Sequence, residues 1–117
     1  MENNVTKTDY GYALEWAKHD NYGGKILVFE RAAKTDFAYS LKTEKSWFVN
    51  DGAFMVRWVD TTDGKTYQQE LQPGVVFHCK TNVPYSLSCV SERGSVAECN
   101  NGHHEGDEYI VIKKEVL

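Results

Sequence analysis

Apolar and polar residues along this chain alternate with a period of two rather than with the 3.6-residue period of a helix, most clearly between Lys45 and Pro84. That stretch, KSWFVNDGAFMVRWVDTTDGKTYQQELQPGVVFHCKTNVP, reads as four strands. Each run stops at a cluster able to supply the backbone angles of a reversal: Asn50-Asp51-Gly52, Thr61-Thr62-Asp63-Gly64, Gln72-Pro73-Gly74 and Asn82-Val83-Pro84. Pro73 and Gly74 suit the two inner positions of a tight turn. In AFMVRWVD, Phe54, Val56 and Trp58 share one face while Met55, Arg57 and Val59 share the other, so this strand is expected to be covered on both sides.

The flanks continue the pattern. Gly23-Gly24 reads as a turn before a strand from Lys25 to Glu30, whose ILVF centre suits burial on both faces. Tyr10 to Ala17 reads as a strand, with a helix over 12–19 as the competing reading. Asp36 to Leu41 is a short strand with Phe37, Tyr39 and Leu41 on one face and Ala38 and Ser40 on the other, and Tyr85 to Ser91 alternates in the same way. Arg93-Gly94 is expected as a two-residue hairpin loop, a register that sets Glu98 opposite Cys89 and turns Cys99 to the other face. Asn100 to Asp107 reads as a loop and EYIVIKKEVL as a last strand. Eight or more short strands without a helix predict an all-β sandwich or barrel over 10–117, preceded by a loose segment over 1–9.

A length of 117 residues, 41% of them hydrophobic, suits one domain with a packed interior. The 13 basic against 17 acidic residues give a net charge of −4, which argues against a nucleic-acid partner. No apolar run reaches membrane-spanning length, and the polar start MENNVTKTDYGY lacks the features of a signal peptide, so a cytoplasmic protein with no membrane partner is expected. Cys79, Cys89 and Cys99 are odd in number and form no C-x-x-C pair, which fits a reducing compartment and cysteines used for packing.

The order of turns resembles the small single-domain cupins, jelly-roll barrels of the double-stranded β-helix type. The resemblance rests on WFVNDGAFMVRW at the end of the family's first motif, the L-x-P-G turn at Leu71 to Gly74, and Val83-Pro84 near the end of its second. The segments GYALEW and NYGGKILVF are most similar to cupins related to sugar-phosphate isomerases. Metal-binding members carry two histidines and a glutamate before the Gly52 position and a histidine after the Pro84 position. Here Lys45 stands at the glutamate slot, Tyr85 at the last histidine slot, and the other slots fall among Ala38, Tyr39, Ser40 and Leu41. The resemblance therefore implies the family's fold without its metal or any other cofactor.

By strand parity and the family's geometry, Tyr39, Ser40, Lys45, Tyr85 and Glu98 converge on one barrel mouth, with Trp47, Phe54 and Trp58 as apolar walls and Trp47 or Trp58 available to stack on a sugar ring. A barrel filled by a Lys45–Glu98 ion pair is the alternative. His78 either lines the barrel or sits at the surface, and His103-His104-Glu105 with Asp107 reads as a solvated loop rather than a metal cluster. No glycine-flanked serine supports a nucleophilic triad. The expected function is binding of a small polar ligand, a sugar or sugar phosphate among the candidates, by a homodimer in which Tyr10 to Trp16 serves the partner. Were the site catalytic, Glu98 or His78 would act as base in a sugar isomerisation or epimerisation. A non-catalytic assembly role is the other expectation.

Overall fold

The computed structural model describes residues 4–102 and 104–113. Eleven strands appear among them, and no helix: β1 (Val5–Lys7), β2 (Gly11–Lys18), β3 (Gly23–Glu30), β4 (Phe37–Tyr39), β5 (Lys45–Asp51), β6 (Phe54–Val59), β7 (Thr66–Leu71), β8 (Val76–Cys79), β9 (Tyr85–Cys89), β10 (Arg93–Asn100) and β11 (Tyr109–Ile112). They form a six-stranded sheet in the order β1-β2-β3-β10-β5-β8 and a five-stranded sheet in the order β11-β4-β9-β6-β7, every pairing antiparallel. No described element is a helix long and apolar enough to cross a membrane.

The period-two pattern does the folding work. Leu27 and Phe29 on β3, Trp47 and Val49 on β5, and Val96 on β10 face Phe54 and Val56 on β6 and Leu87 and Cys89 on β9, and together they form the buried core between the sheets. Phe29 meets Phe54 edge to face at 5.2 Å, an arrangement the ring quadrupoles favour. The Pro73-Gly74 turn forms as expected: Gly74 takes φ of 90° and Val75 N–H donates to Gln72 O at 3.0 Å.

Four expectations need correction. Arg93-Gly94 is not a hairpin loop; it opens β10, and β9 and β10 lie in opposite sheets, so Glu98 pairs with Lys25 and Trp47 instead of facing Cys89. The crossing is held by Ser91, whose hydroxyl accepts from Ala53 N–H at 3.0 Å and donates to Arg93 O at 2.9 Å. Gly94 serves packing rather than turning, because a Cβ there would come within 2.6 Å of the Phe54 ring. Gly23 and Gly24 likewise belong to β3, and a Cβ on Gly24 would meet the Trp16 indole at 2.2 Å. Leu41 is exposed rather than inward, since β4 ends at Tyr39. Finally, the segment expected to be loose contains β1, which pairs with β2 at Tyr12, Ala13 and Leu14.

Candidate functional site

Strand parity carries four side chains to one end of the barrel. On β5, Lys45 shares the inward face of Trp47 and Val49; on β3, Lys25 shares that of Leu27 and Phe29; on β10, Glu98 follows Val96; on β8, Cys79 follows Phe77. Register brings them together: Glu98 lies between Lys25 and Trp47, and Lys45 lies between Asn100 and Cys79. A cavity of about 180 Å³ opens there, lined also by Tyr10, Tyr39, Ser40, Thr43 and Tyr85. A vestibule of about 350 Å³ shares Lys25, Ser40, Thr43, Lys45, Glu98 and Glu108 with it.

Glu98 is only 7% exposed, yet Lys45 is not its ion-pair partner. Its carboxylate accepts the Trp47 indole N–H at 3.0 Å and, more weakly, the Asn100 side-chain amide at 3.4 Å. The Lys45 ammonium instead stands over the Trp47 ring, 5.4 Å from its centroid. Burial pushes the Cys79 thiol up to about 12 against the opposing influence of Lys45, so it stays protonated and unreactive at neutral pH. Burial also pushes Tyr10 up to about 12, with the charges of Glu98 and Glu108 adding to the effect. Burial likewise raises Tyr85, whose hydroxyl accepts Lys80 N–H at 2.9 Å.

The rim is fastened by Asp107. Its carboxylate accepts N–H from Leu41 (2.9 Å), Lys42 (3.0 Å) and Thr43 (2.8 Å) and the Thr43 hydroxyl (2.9 Å), tying the loop before β11 to the turn before β5. Desolvation raises its pKa, but these donors outweigh that and hold the carboxyl well below the usual range.

Of the residues picked from sequence, Tyr39, Ser40, Lys45, Trp47, Tyr85 and Glu98 all line the cavity. Two do not. His78 is exposed on the outer face, where Ser46 Oγ lies 2.6 Å from its Nδ1, because Phe77 and Cys79 occupy the inward positions on either side. Trp58 packs against Phe77 and Tyr67 and borders a separate depression with Asp60 and Thr62. Trp47 is 5% exposed and serves as a hydrogen-bond donor inside the wall, not as a stacking platform. Phe54 is wholly buried in the core. His103 lies outside the described residues, and among the described ones no three His, Cys, Asp or Glu side chains converge as a metal site would require. Sequence reasoning missed Lys25, Tyr10, Cys79 and Glu108; for Lys25 the alternation Lys25, Leu27, Phe29 was the available signal.

No protein-family model matches the chain, and no curated protein matches it in sequence. Solved structures do match in shape. The capsular polysaccharide assembling protein CapF from Staphylococcus aureus superposes with a TM-score of 0.86 at 11% identity, covering 96% of this chain and 33% of CapF. Oxalate decarboxylase from Bacillus subtilis at pH 4.6 gives 0.82 at 14% identity, covering 94% and 30%. The formate complex of the Lactobacillus farciminis oxalate decarboxylase gives 0.79 at 12%, covering 94% and 34%. The two facing antiparallel sheets and these neighbours define an all-β protein with the cupin jelly-roll fold. The chain spans about a third of the length of each neighbour, and at such identities the likeness is one of fold.

Proposed function

We propose that this cupin-like domain binds a small polar ligand, a monosaccharide or its phosphate, in the cavity at the Lys45 end of the barrel, and does so without a metal. The observation that carries this reading is that Lys25, Lys45 and Glu98 line one cavity while the Glu98 carboxylate accepts from Trp47, so that the Lys45 ammonium has no ionic partner among the described residues. Lys25 and Lys45 suit an anionic group, and the remaining acceptor capacity of Glu98, with Ser40 and Tyr39, suits hydroxyl groups. At about 180 Å³ the cavity is smaller than the roughly 300–1,000 Å³ of drug-sized sites, so the occupant is small or reaches into the vestibule.

Lys25, Lys45 and Lys80 line the cavity beside Asp36, Glu98 and Glu108, and among the described residues no three His, Cys, Asp or Glu side chains converge, so the lining does not suit a divalent cation and no step is derived through one. With His78 on the outer face, Glu98 is the base available if the ligand is also a substrate. CapF, a capsular polysaccharide assembling protein, shares this fold, which agrees with a carbohydrate ligand. The small cavity volume favours one second reading, a non-catalytic domain kept for assembly.

Thermal-shift measurement with monosaccharides, sugar phosphates and inorganic phosphate tests the proposal. A ligand at about 100 times its Kd stabilises the native state by about 2.7 kcal/mol. The expected result is a shift that is lost in Lys45→Ala and Lys25→Ala. A panel with no effect on the wild-type chain, or a shift untouched by both substitutions, would overturn it.

A further inference from the structure

A second depression adjoins the cavity, and we propose that it seats a further sugar ring of the same ligand, so that the domain prefers a phosphorylated disaccharide to a phosphorylated monosaccharide. That preference rests on the cavity being a sugar-phosphate site. β8 and β7 each end a sheet, and among the described residues no strand bridges them, so hydrogen bonds do not close the barrel along that side. At the Lys45 end, where β6 and β8 stop and β9 begins, a depression of about 420 Å³ lies between Trp58 of β6 and Phe77 of β8. Lys80, Val83 and Tyr85 line both this depression and the cavity, so the two hollows share one wall. The wall is held from both sides. Asn82 N–H donates to Ser40 O at 2.7 Å on the cavity side, and Val59 N–H donates to Pro84 O at 3.1 Å on the other. The Tyr85 hydroxyl accepts Lys80 N–H at 2.9 Å, which fixes the ring between the hollows, and a site fixed in this way loses little freedom when a ligand enters.

The lining selects the occupant. On β6 the inward row runs from Phe54 and Val56, both fully buried, to Trp58, which is half-buried where the core gives out. Phe77 lies against Trp58 at 5.4 Å and meets Tyr85 edge to face at 5.7 Å, so three half-buried rings make an apolar floor. The rim is polar, with Asp60, Thr62 and Lys80. Thr62 N–H donates to Asp60 Oδ1 at 2.7 Å, and the Thr62 hydroxyl and N–H hold the Asp60 carboxyl below its ordinary pKa, which keeps it an ionised acceptor. An aromatic floor under such a rim suits a pyranose ring, which carries C–H groups on its faces and hydroxyls around its edge. A wholly apolar guest would strand the rim, and a bare anion would meet Asp60. Size agrees: the cavity holds about 180 Å³, short of the roughly 300 Å³ at which small-molecule sites begin, and the depression alone exceeds that.

Isothermal titration calorimetry with matched probes tests this: glucose-6-phosphate against trehalose-6-phosphate, and galactose-6-phosphate against lactose-6-phosphate. In at least one pair the disaccharide should bind about tenfold tighter. Trp58→Leu and Asp60→Asn should each remove that advantage and leave the monosaccharide Kd unchanged, whereas Lys45→Ala should weaken both members of the pair. Asp60→Asn keeps the Oδ1 acceptor of Thr62 N–H and carries the test if Trp58→Leu fails to fold. Equal Kd values within both pairs, or an advantage that survives both substitutions, would overturn the second subsite and leave the cavity as a monosaccharide site. Uridine monophosphate binding tighter than either disaccharide, with the gain lost in Trp58→Leu, would overturn it by putting a base on the aromatic floor. No binding of any sugar phosphate to the wild-type chain would overturn the cavity as a sugar-phosphate site and the second subsite with it.

Discussion

Replacing Lys45 by alanine separates a ligand site from a filled barrel, because the two predict different stability costs. The ammonium forms no ion pair with Glu98 and stands over the Trp47 ring, 5.4 Å from its centroid. Such a cation–π contact at a partly exposed site contributes about 0.5–1 kcal/mol. Had Lys45 been the counter-ion of buried Glu98, removing it would leave an unpaired carboxylate and cost about 3–5 kcal/mol. For a chain of this length 1 kcal/mol moves Tm by about 4 °C, so the structure predicts a fall of about 2–4 °C, against more than about 12 °C for the ion pair. Scanning calorimetry on both proteins reads the difference. Glu98→Ala supplies the contrast: it strands the buried Trp47 N–H, a loss of about 1–3 kcal/mol, so it should destabilise more than Lys45→Ala does. If Lys45→Ala were the costlier of the two, the pairing of Glu98 with the indole would be the wrong account of how its charge is held.

Three further outcomes follow from the backbone, the packing and the rim. Ala32 sits at φ of 61°, a left-handed conformation costing about 1–2 kcal/mol for a residue with a Cβ, and Ala32→Gly relieves it. After about 0.4–1 kcal/mol is returned to unfolded-chain entropy, a net gain of about 0.5–1 kcal/mol should appear in urea unfolding. Gly94→Ala should cost about 1–3 kcal/mol in the same assay, since its methyl would lie 2.6 Å from the Phe54 ring. Asp107 has its pKa depressed in the folded chain, so the stability it contributes is fully present above the ordinary carboxylate value and disappears as pH falls through the lower folded value. The wild-type Tm should therefore fall more steeply below about pH 4 than that of Asp107→Ala, and parallel curves would show that the clamp contributes nothing.

Most of the strands were legible because their signals are local. β5 and β6 alternate cleanly, and Gln72-Pro73-Gly74 has one low-energy way to turn. Glycine was the recurrent source of error. Gly23, Gly24 and Gly94 look like punctuation in the sequence, yet each sits within a strand, and at Gly24 and Gly94 the absent side chain leaves room for Trp16 and Phe54. A glycine that turns and a glycine that makes space are the same letter. Reading Gly94 as a turn placed β9 and β10 side by side, and with them Glu98 beside the wrong neighbour.

That single misplacement explains how the candidate site was and was not visible. Lys45 and Glu98 were legible as inward residues from parity alone, and the same parity test turns His78 outward between Phe77 and Cys79. Which group answers Glu98 is a question of register between strands about 50 residues apart, and no local pattern encodes it. A buried carboxylate invites a cation on charge grounds, and Lys45 was the nearest one by sequence reasoning. The indole N–H of Trp47 reaches Glu98 first, directly across from it on β5, and needs no second charge to be desolvated. A neutral donor inside the wall thus holds the Glu98 carboxylate in place while Lys45 and Lys25 line the cavity beside it, and on that arrangement rests the proposal that the polar end of this barrel takes a ligand instead of closing as a core.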